Sequence, residues 1–346
     1  MGGEAIRPSG PWVPPFALGD GAGWTFVDSG RSALHWLLLP YRSARVHLPA
    51  YSCPALTQAV LDAACRPHFY HAQGPDHPAK GDVLVVVHNF GWRMGRPLLS
   101  RLRQEHPHLV IWEDASHTLT NARGKRWLGP PWTDGAFASL RKCLPTPAGG
   151  IARRWATASR PERWPDPDPH FVRHRLSALE RPNAVETANV LAAAESWLEH
   201  QHTIAALDQV SRSILQELPS QDDGMWRTRC RKNWGILQQQ LQGGPGTGIH
   251  TALPEGVCPL GYLIRHPNRS DLARSLLDHG ICASLHWRLT GPSRAAATLE
   301  ERRLAGTVLT LPCDGRYGSD DMLRLAQLVM EPAPIKRTRP GHPQHP

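Results

Sequence analysis

The sequence has no uncharged apolar run approaching the ~20 residues that a membrane-spanning helix needs. Its most β-branched apolar run, Val83-Leu84-Val85-Val86-Val87, has the length of a strand. Met1 to Pro15 is rich in glycine and proline and has no apolar stretch of the secretory kind. The seven cysteines are scattered and none forms a C-x-x-C pair. That argues against a zinc ribbon or a disulfide framework and for reduced thiols in a cytoplasmic protein. The nineteen histidines include no H-E-x-x-H motif, so no metal is expected. The glycine-rich stretch Gly243-Gly244-Pro245-Gly246-Thr247-Gly248 lacks the Lys-Ser/Thr of a P-loop. No G-x-G-x-x-G follows the first expected strand, which weakens a nicotinamide-dependent oxidoreductase. Lysine is scarce: five of the 39 basic residues are lysine, so a lysine in apolar surroundings is conspicuous. The net charge of +9 is spread along the chain. Its one compact cluster, Lys336-Arg337-Arg339, lies in a proline-rich tail, so nucleic acid is not an expected partner.

What is present suits a globular chain. The 346 residues are 40% apolar and 20% charged, enough to bury a sizeable core. The first half alternates strand and helix signals. Helices are expected at Ser32 to Leu39, Pro54 to Ala64 and Pro97 to His106. Strands are expected at Arg45 to Leu48, Pro67 to Tyr70, Asp82 to His88, Leu109 to Trp112, Gly135 to Leu140 and Gly149 to Ala152. Such alternation implies an α/β fold, with a mainly parallel central sheet covered by helices on both faces. A long helical stretch is expected from Asn183 to Leu218, and a second helix from about Arg227 to Leu241. The last third reads as a smaller α+β domain. Its strands fall at Tyr262 to Ile264, Ile281 to Leu285 and Val308 to Leu311, and its helices at Ser270 to His279 and Ser319 to Val329. The expected organisation is an irregular arm (1–22), a large domain (23–220), a small domain (221–330) and a disordered tail (331–346).

In an open parallel sheet, ligands bind beyond the carboxyl ends of the strands. Three such places carry candidate chemistry. The strand Leu109 to Trp112 runs into Glu113-Asp114-Ala115-Ser116-His117. Its acid could bind a metal, a ribose or a protonated ring nitrogen, or simply cap a turn. Lys142 follows the next strand, 28 residues after Asp114. Apolar neighbours and the adjacent Arg141 charge are what a Schiff-base lysine needs, although a lysine at a sheet edge is the plainer reading. The turn Asp28-Ser29-Gly30-Arg31-Ser32 opens a helix and offers backbone N–H groups to a phosphate, or is an ordinary cap.

The order of these places, with further stretches, resembles the DegT/DnrJ-type family of sugar aminotransferases, which are fold type I pyridoxal phosphate enzymes of aspartate aminotransferase-like architecture. The stretches are Ser29 to Leu34, Leu48 to Cys53, Val87 to Gly91, Glu113 to His117 and Phe137 to Lys142 followed by Gly149-Gly150. A last match is Leu311-Pro312-Cys313-Asp314 with Arg316-Tyr317. The resemblance spans about residues 25–330. It implies that Lys142 holds the cofactor covalently and shuttles the proton, and that Asp114 pairs with the pyridinium nitrogen. By the same resemblance Ser139 and Gly30-Arg31-Ser32 hold the phosphate, and His117 approaches the ring hydroxyl where relatives have glutamine. Cys53 stands where relatives stack an aromatic ring, with Tyr51 the nearby aromatic able to take its place. Asn183 is the candidate for reaching a partner's phosphate.

The resemblance implies a transaminase moving an amino group from an amino-acid donor to a keto acceptor, for which a keto sugar nucleotide is a candidate. It also implies a homodimer with the active site at the interface. Other pyridoxal phosphate chemistry on the same fold (lyase, aldolase or dehydratase) and a non-catalytic binding protein are the alternatives. His88 is placed with the substrate. Arg288 and Arg316 are candidates for gripping a carboxylate, against the plainer readings of a cation–π pair and a surface salt bridge.

The tail yields a first prediction. Among residues 331–346, Ile335 is the one large aliphatic side chain. Burying it is worth ~1.5–3 kcal/mol, against ~1–2 kcal/mol per residue of backbone entropy for ordering the segment. Deleting 331–346 should therefore leave the melting temperature and the dimer unchanged, as read by calorimetry and light scattering.

Overall fold

The computed structural model describes residues 23–121, 129, 131–156, 163–178, 184–218 and 225–331. The expected arm, almost all of the expected tail, and Asn183 lie outside the described residues. Two β-sheets organise the chain. The larger contains β1 (Thr25–Val27), β2 (Arg45–Pro49), β3 (Arg66–Tyr70), β4 (Val83–Val87), β5 (Val110–Asp114), β6 (Gly135–Ser139) and β7 (Gly150–Arg154), in the spatial order β1-β7-β6-β5-β4-β2-β3. Strands β2 to β6 are parallel, with Val85 opposite Trp112 and Trp112 opposite Gly135. Strand β7 returns antiparallel to β6, and β1 is antiparallel to β7. Strand β1 thus runs the same way as β6, and its carboxyl end meets theirs at one edge of the sheet.

The unbroken apolar run of β4 is explained by two covered faces. Val83, Val85 and Val87 join the core under α1 (Gly30–Leu38) and α2 (Pro54–Asp62). Leu84 and Val86 point the other way and pack with Leu99 and Leu102 of α3 (Arg96–Glu105). The smaller sheet, β10-β9-β8, is antiparallel and consists of β8 (Thr247–Gly248), β9 (Tyr262–Arg265) and β10 (Val308–Leu311). Its core draws on α7 (Met225–Gln240), α8 (Arg269–Asp278) and α11 (Ser319–Met330).

Two expected elements differ. The stretch 183–218 is not one helix. It forms α5 (Ala184–Glu199) and α6 (Gln209–Glu217). Between them Ala206 bridges to Val27 and Asp208 caps α6 through the Ser211 amide. The chain trades helical continuity for pairing with β1, a tertiary gain that local periodicity does not register. Ile281 to Leu285 is not a strand either; one bridge, Ser284 to Thr310, joins it to the smaller sheet. Three helices have no counterpart in the sequence reading: α4 (Pro169–Ala178), α9 (Gly291–Ala296) and α10 (Leu299–Thr307).

A buried carboxylate ties the strands at the end opposite the carboxyl edge. Asp82 Oδ2 accepts from Arg45 Nε (2.9 Å) and Nη2 (2.7 Å), from His47 Nε2 (2.8 Å) and from the Ala79 amide (2.9 Å). Burial raises the Asp82 pKa, but those donors outweigh it and pull the group down to about 2. A depressed carboxylate contributes stability above its unfolded pKa and loses it as the pH falls toward the folded one. Urea unfolding should show this contribution intact at pH 7 and largely gone near pH 2. Asp82→Asn should cost about 1–3 kcal/mol at pH 7 and little near pH 2.

Candidate active site

The candidate site forms where the carboxyl ends of β1, β2, β5 and β6 meet. Asp114 ends β5 and is buried; its Oδ1 accepts from the Ser116 amide at 2.9 Å. Ser139 ends β6, and the chain turns through a 3₁₀ segment that carries Lys142. Ser29 caps α1 through the Ser32 amide, leaving the amides of Gly30 and Arg31 at the positive end of the helix. A Cβ at Gly30 would stand 2.8 Å from the Ser139 Cβ, so this approach requires glycine. A cavity of about 140 Å³ brings together Gly30, Arg31, Cys53, Asp114, Ser116, Ser139 and Lys142. These residues come from four separate stretches of the sequence.

His117 lies beside this cavity. Its Nδ1 accepts from the Phe90 amide at 3.0 Å, and its Nε2 is 3.2 Å from Lys142 Nζ. An acceptor at Nδ1 places the proton of the neutral ring on Nε2, and the lysine nitrogen can accept that N–H only as the uncharged amine. Burial, together with the nearby charge of Lys142, holds His117 well below the usual histidine range. The ring stays neutral and its tautomer is set by a backbone amide. Phe90 delivers that amide from a left-handed conformation (φ +59°). Nothing in the sequence marked this hydrogen bond. The His117 ring stacks on Trp287, with centroids 5.8 Å apart and an interplanar angle of 11°. Tyr51 Oη donates to the His286 carbonyl at 2.6 Å, and its ring meets Trp287 edge-on at 5.4 Å. Tyr51 therefore fastens the smaller sheet's 286–287 segment over the site, and Cys53 is the residue that lines the cavity.

The substrate candidates separate. His88 is brought to Glu113 and not to the cavity. Its Nε2 is 2.7 Å from Glu113 Oε1, its Nδ1 accepts from the Met94 amide at 3.1 Å, and both side chains are fully enclosed. Arg316 is neither a surface bridge nor a free grip. Its side chain is 7% exposed, its Nε and Nη2 engage the two oxygens of Asp314 at 2.7 and 2.5 Å, and it lines a small cavity with Lys142 and Cys143. Burial would lower its pKa, but Asp314 outweighs that and raises it. Arg288 is exposed and lines an open cleft of about 580 Å³ with Arg31, Gln58, His200 and His202. Arg31, Pro54, Ala55 and Glu199 border both this cleft and the inner cavity.

Arg31 does not face a phosphate position freely. Its guanidinium donates to the carbonyls of Leu198 and Glu199 at the end of α5. Glu195, Leu198 and Glu199 of α5 also line the cavity, and the sequence reading named none of them. Their apolar-helix context gave no sign that α5 would lie against α1.

Comparison with known proteins now has a geometry to meet. No protein-family model matches the chain, and no curated protein matches it. Solved structures do. DesV from S. venezuelae, in complex with a ketimine intermediate, is 20% identical, with a TM-score of 0.59 over 91% of this chain and 85% of that one. DesI, in the presence of its TDP-sugar product, is 17% identical (TM-score 0.61; 89% and 79%). A DegT DnrJ EryC1 StrS aminotransferase from Brucella abortus is 14% identical (TM-score 0.58; 88% and 84%). The fold is that of these proteins. It is the type I fold expected for pyridoxal phosphate enzymes, with the mostly parallel seven-stranded sheet described above.

The enclosed pair gives a prediction that separates a structural His88 from a substrate-binding one. His88→Ala removes the enclosed imidazole that meets Glu113 at 2.7 Å and should cost about 3–5 kcal/mol in urea unfolding. A residue that served the substrate alone would leave unfolding unchanged.

Proposed function

We propose that this protein is a pyridoxal phosphate-dependent aminotransferase of the DegT/DnrJ type. The carrying observation is that Asp114, Lys142, Ser139 and the opening turn of α1 line one cavity. The residues present fit the cofactor's three chemical demands. A buried carboxylate at Asp114 answers a protonated ring nitrogen. The amine of Lys142 answers an aldehyde. The amides of Gly30 and Arg31, with the Ser32 and Ser139 hydroxyls near them, answer a phosphate. When bound, pyridoxal phosphate supplies an electron sink that stabilises negative charge on a substrate carbon.

The protein's own part is to bind, orient and move a proton. Asp114, braced by the Ser116 amide, is held at one end of the cavity as a fixed negative charge. Lys142 Nζ would hold and move the proton in this cavity. His117 Nε2–H lies 3.2 Å from that nitrogen and would orient it as the uncharged amine. The segment with His286 and Trp287, fastened by Tyr51, covers the His117 ring from the side of the smaller sheet. Cys53 puts a small thiol on the cavity lining, which would clamp a bound ring less tightly than an aromatic side chain.

The acceptor reading follows from the adjoining cleft. Arg288 stands on its lining as an exposed guanidinium able to take a carboxylate or phosphate of a keto substrate. The solved structure of DesI in the presence of its TDP-sugar product favours a sugar-nucleotide keto acceptor here. The described residues include no helix long and apolar enough to cross a membrane. The reading is completed by a large unit over 23–220, a small unit over 221–330, a homodimer with the site at its interface, and a cytoplasmic location.

Two measurements test this reading. Protein purified with pyridoxal phosphate should be yellow, and borohydride should bleach the band and leave the cofactor mass on the peptide containing Lys142. Label on another of the five lysines, or none, would overturn the assignment. Asp114→Asn should keep the unfolding midpoint within about 0.5 kcal/mol and lose at least about 100-fold in turnover, equivalent to ~2.7 kcal/mol of barrier. Near wild-type turnover would make Asp114 a turn residue.

A further inference from the structure

The place of Arg31 is chemically odd for a residue beside a phosphate position. It is the second residue of α1, yet its charge is directed onto α5. Nη1 donates to the Glu199 carbonyl at 3.1 Å and Nη2 to the Leu198 carbonyl. The last four carbonyls of a helix lack intrahelical partners and carry the negative end of its dipole. One turn earlier, Glu195 is held from two sides, by Arg141 Nη2 at 2.7 Å and Arg175 Nη1 at 3.2 Å. The opposite side of α5 is anchored by apolar burial, with Ala194 packed against Phe171 and Val172 of α4. The turn that these arginines hold is a wall of the cavity containing Lys142 and Asp114.

That wall presents Glu195, Glu199 and the negative helix end to a site meant for a phosphate of about −1.5 to −2 charge. Left bare, it would oppose the ligand. Arg31 and Arg141 cover it, and Arg141 adjoins Lys142 in the chain, so the wall and the lysine are fixed to each other. Burial lowers the Arg31 pKa, against the pull of Asp62 and Asp28; the arginine remains a cation because its unperturbed pKa is so high.

We propose that Arg31 is a positioning residue: by capping the C-terminal turn of α5 it makes that turn a fixed, charge-neutralised wall of the cavity, and so lets the site accept a phosphorylated ligand. The inference rests on the proposed cofactor. It assigns Arg31 a role through α5 rather than direct contact with the phosphate. A lysine cannot span two carbonyls with a planar fork, so the replacement is not conservative.

The test has two arms, on wild type, Arg31→Ala and Arg31→Lys. In the first, amide hydrogen exchange of residues 195–201 is followed in the cofactor-free protein. Arg31→Ala should speed exchange there by about tenfold or more, with Arg31→Lys in between. In the second, binding of pyridoxal 5′-phosphate and of pyridoxal, which lacks the phosphate, is measured by absorbance. Arg31→Ala should weaken the phosphate ester by about tenfold or more and pyridoxal by less than about threefold. Unchanged exchange, or an equal loss for both ligands, would overturn the proposal. If the wild type takes up no pyridoxal phosphate, the functional reading fails by itself, and the exchange arm still decides whether Arg31 clamps α5.

Discussion

The site depends on one close approach of backbone. Strand β1 returns beside β7 so that the turn after it touches the end of β6, with Gly30 against Ser139. The Gly149 amide donates to the Asp28 carbonyl at 2.8 Å and seals the contact from the β7 side. Any side chain at Gly30 would separate the helix N-terminus from the strand that delivers Lys142. The phosphate-type donors and the amine share a cavity because these two backbones can nearly meet.

Around that contact, the buried polar groups that find partners set the geometry. His88 meets Glu113 at Nε2 and accepts from the Met94 amide at Nδ1, which holds the 88–94 segment. Within it, the Phe90 amide fixes the tautomer of His117, which then addresses Lys142. Asn121 reinforces the same segment, donating to the Gly91 carbonyl at 2.9 Å and accepting from the Cys258 amide at 2.7 Å. A chain of modest hydrogen bonds thus sets the direction of one N–H beside the Lys142 amine.

Much of the fold was legible because it rests on local patterns. The continuous valine run of β4 announced a strand covered on both faces, and the order of elements announced a parallel sheet. Asp114, Ser139 and Lys142 could be singled out because each follows a buried strand, and strand ends converge. The roles of His88, Arg31 and Arg316 were not legible. Each is a side chain of ambiguous use, and what it does depends on which carboxylate or carbonyl the fold brings to it. Glu113, Asp314 and the end of α5 meet the three side chains that the sequence offers to ligands. The break between α5 and α6 was hidden for the same reason, since pairing of Ala206 with Val27 is a long-range gain.

By itself, then, the sequence determined the alternation of elements, the burial of the central strands and the polar residues at their ends. These follow from periodicity, β-branching and turn chemistry, all properties of neighbouring residues. Tertiary structure decided which of those polar residues face one cavity, which nitrogen of His117 carries its proton, and which arginines are spent on protein partners. Those outcomes depend on distances between segments far apart in the chain. A hydrogen bond of 3 Å from Phe90 to His117, or from Arg31 to the end of α5, leaves no trace in the order of residues on either side of it.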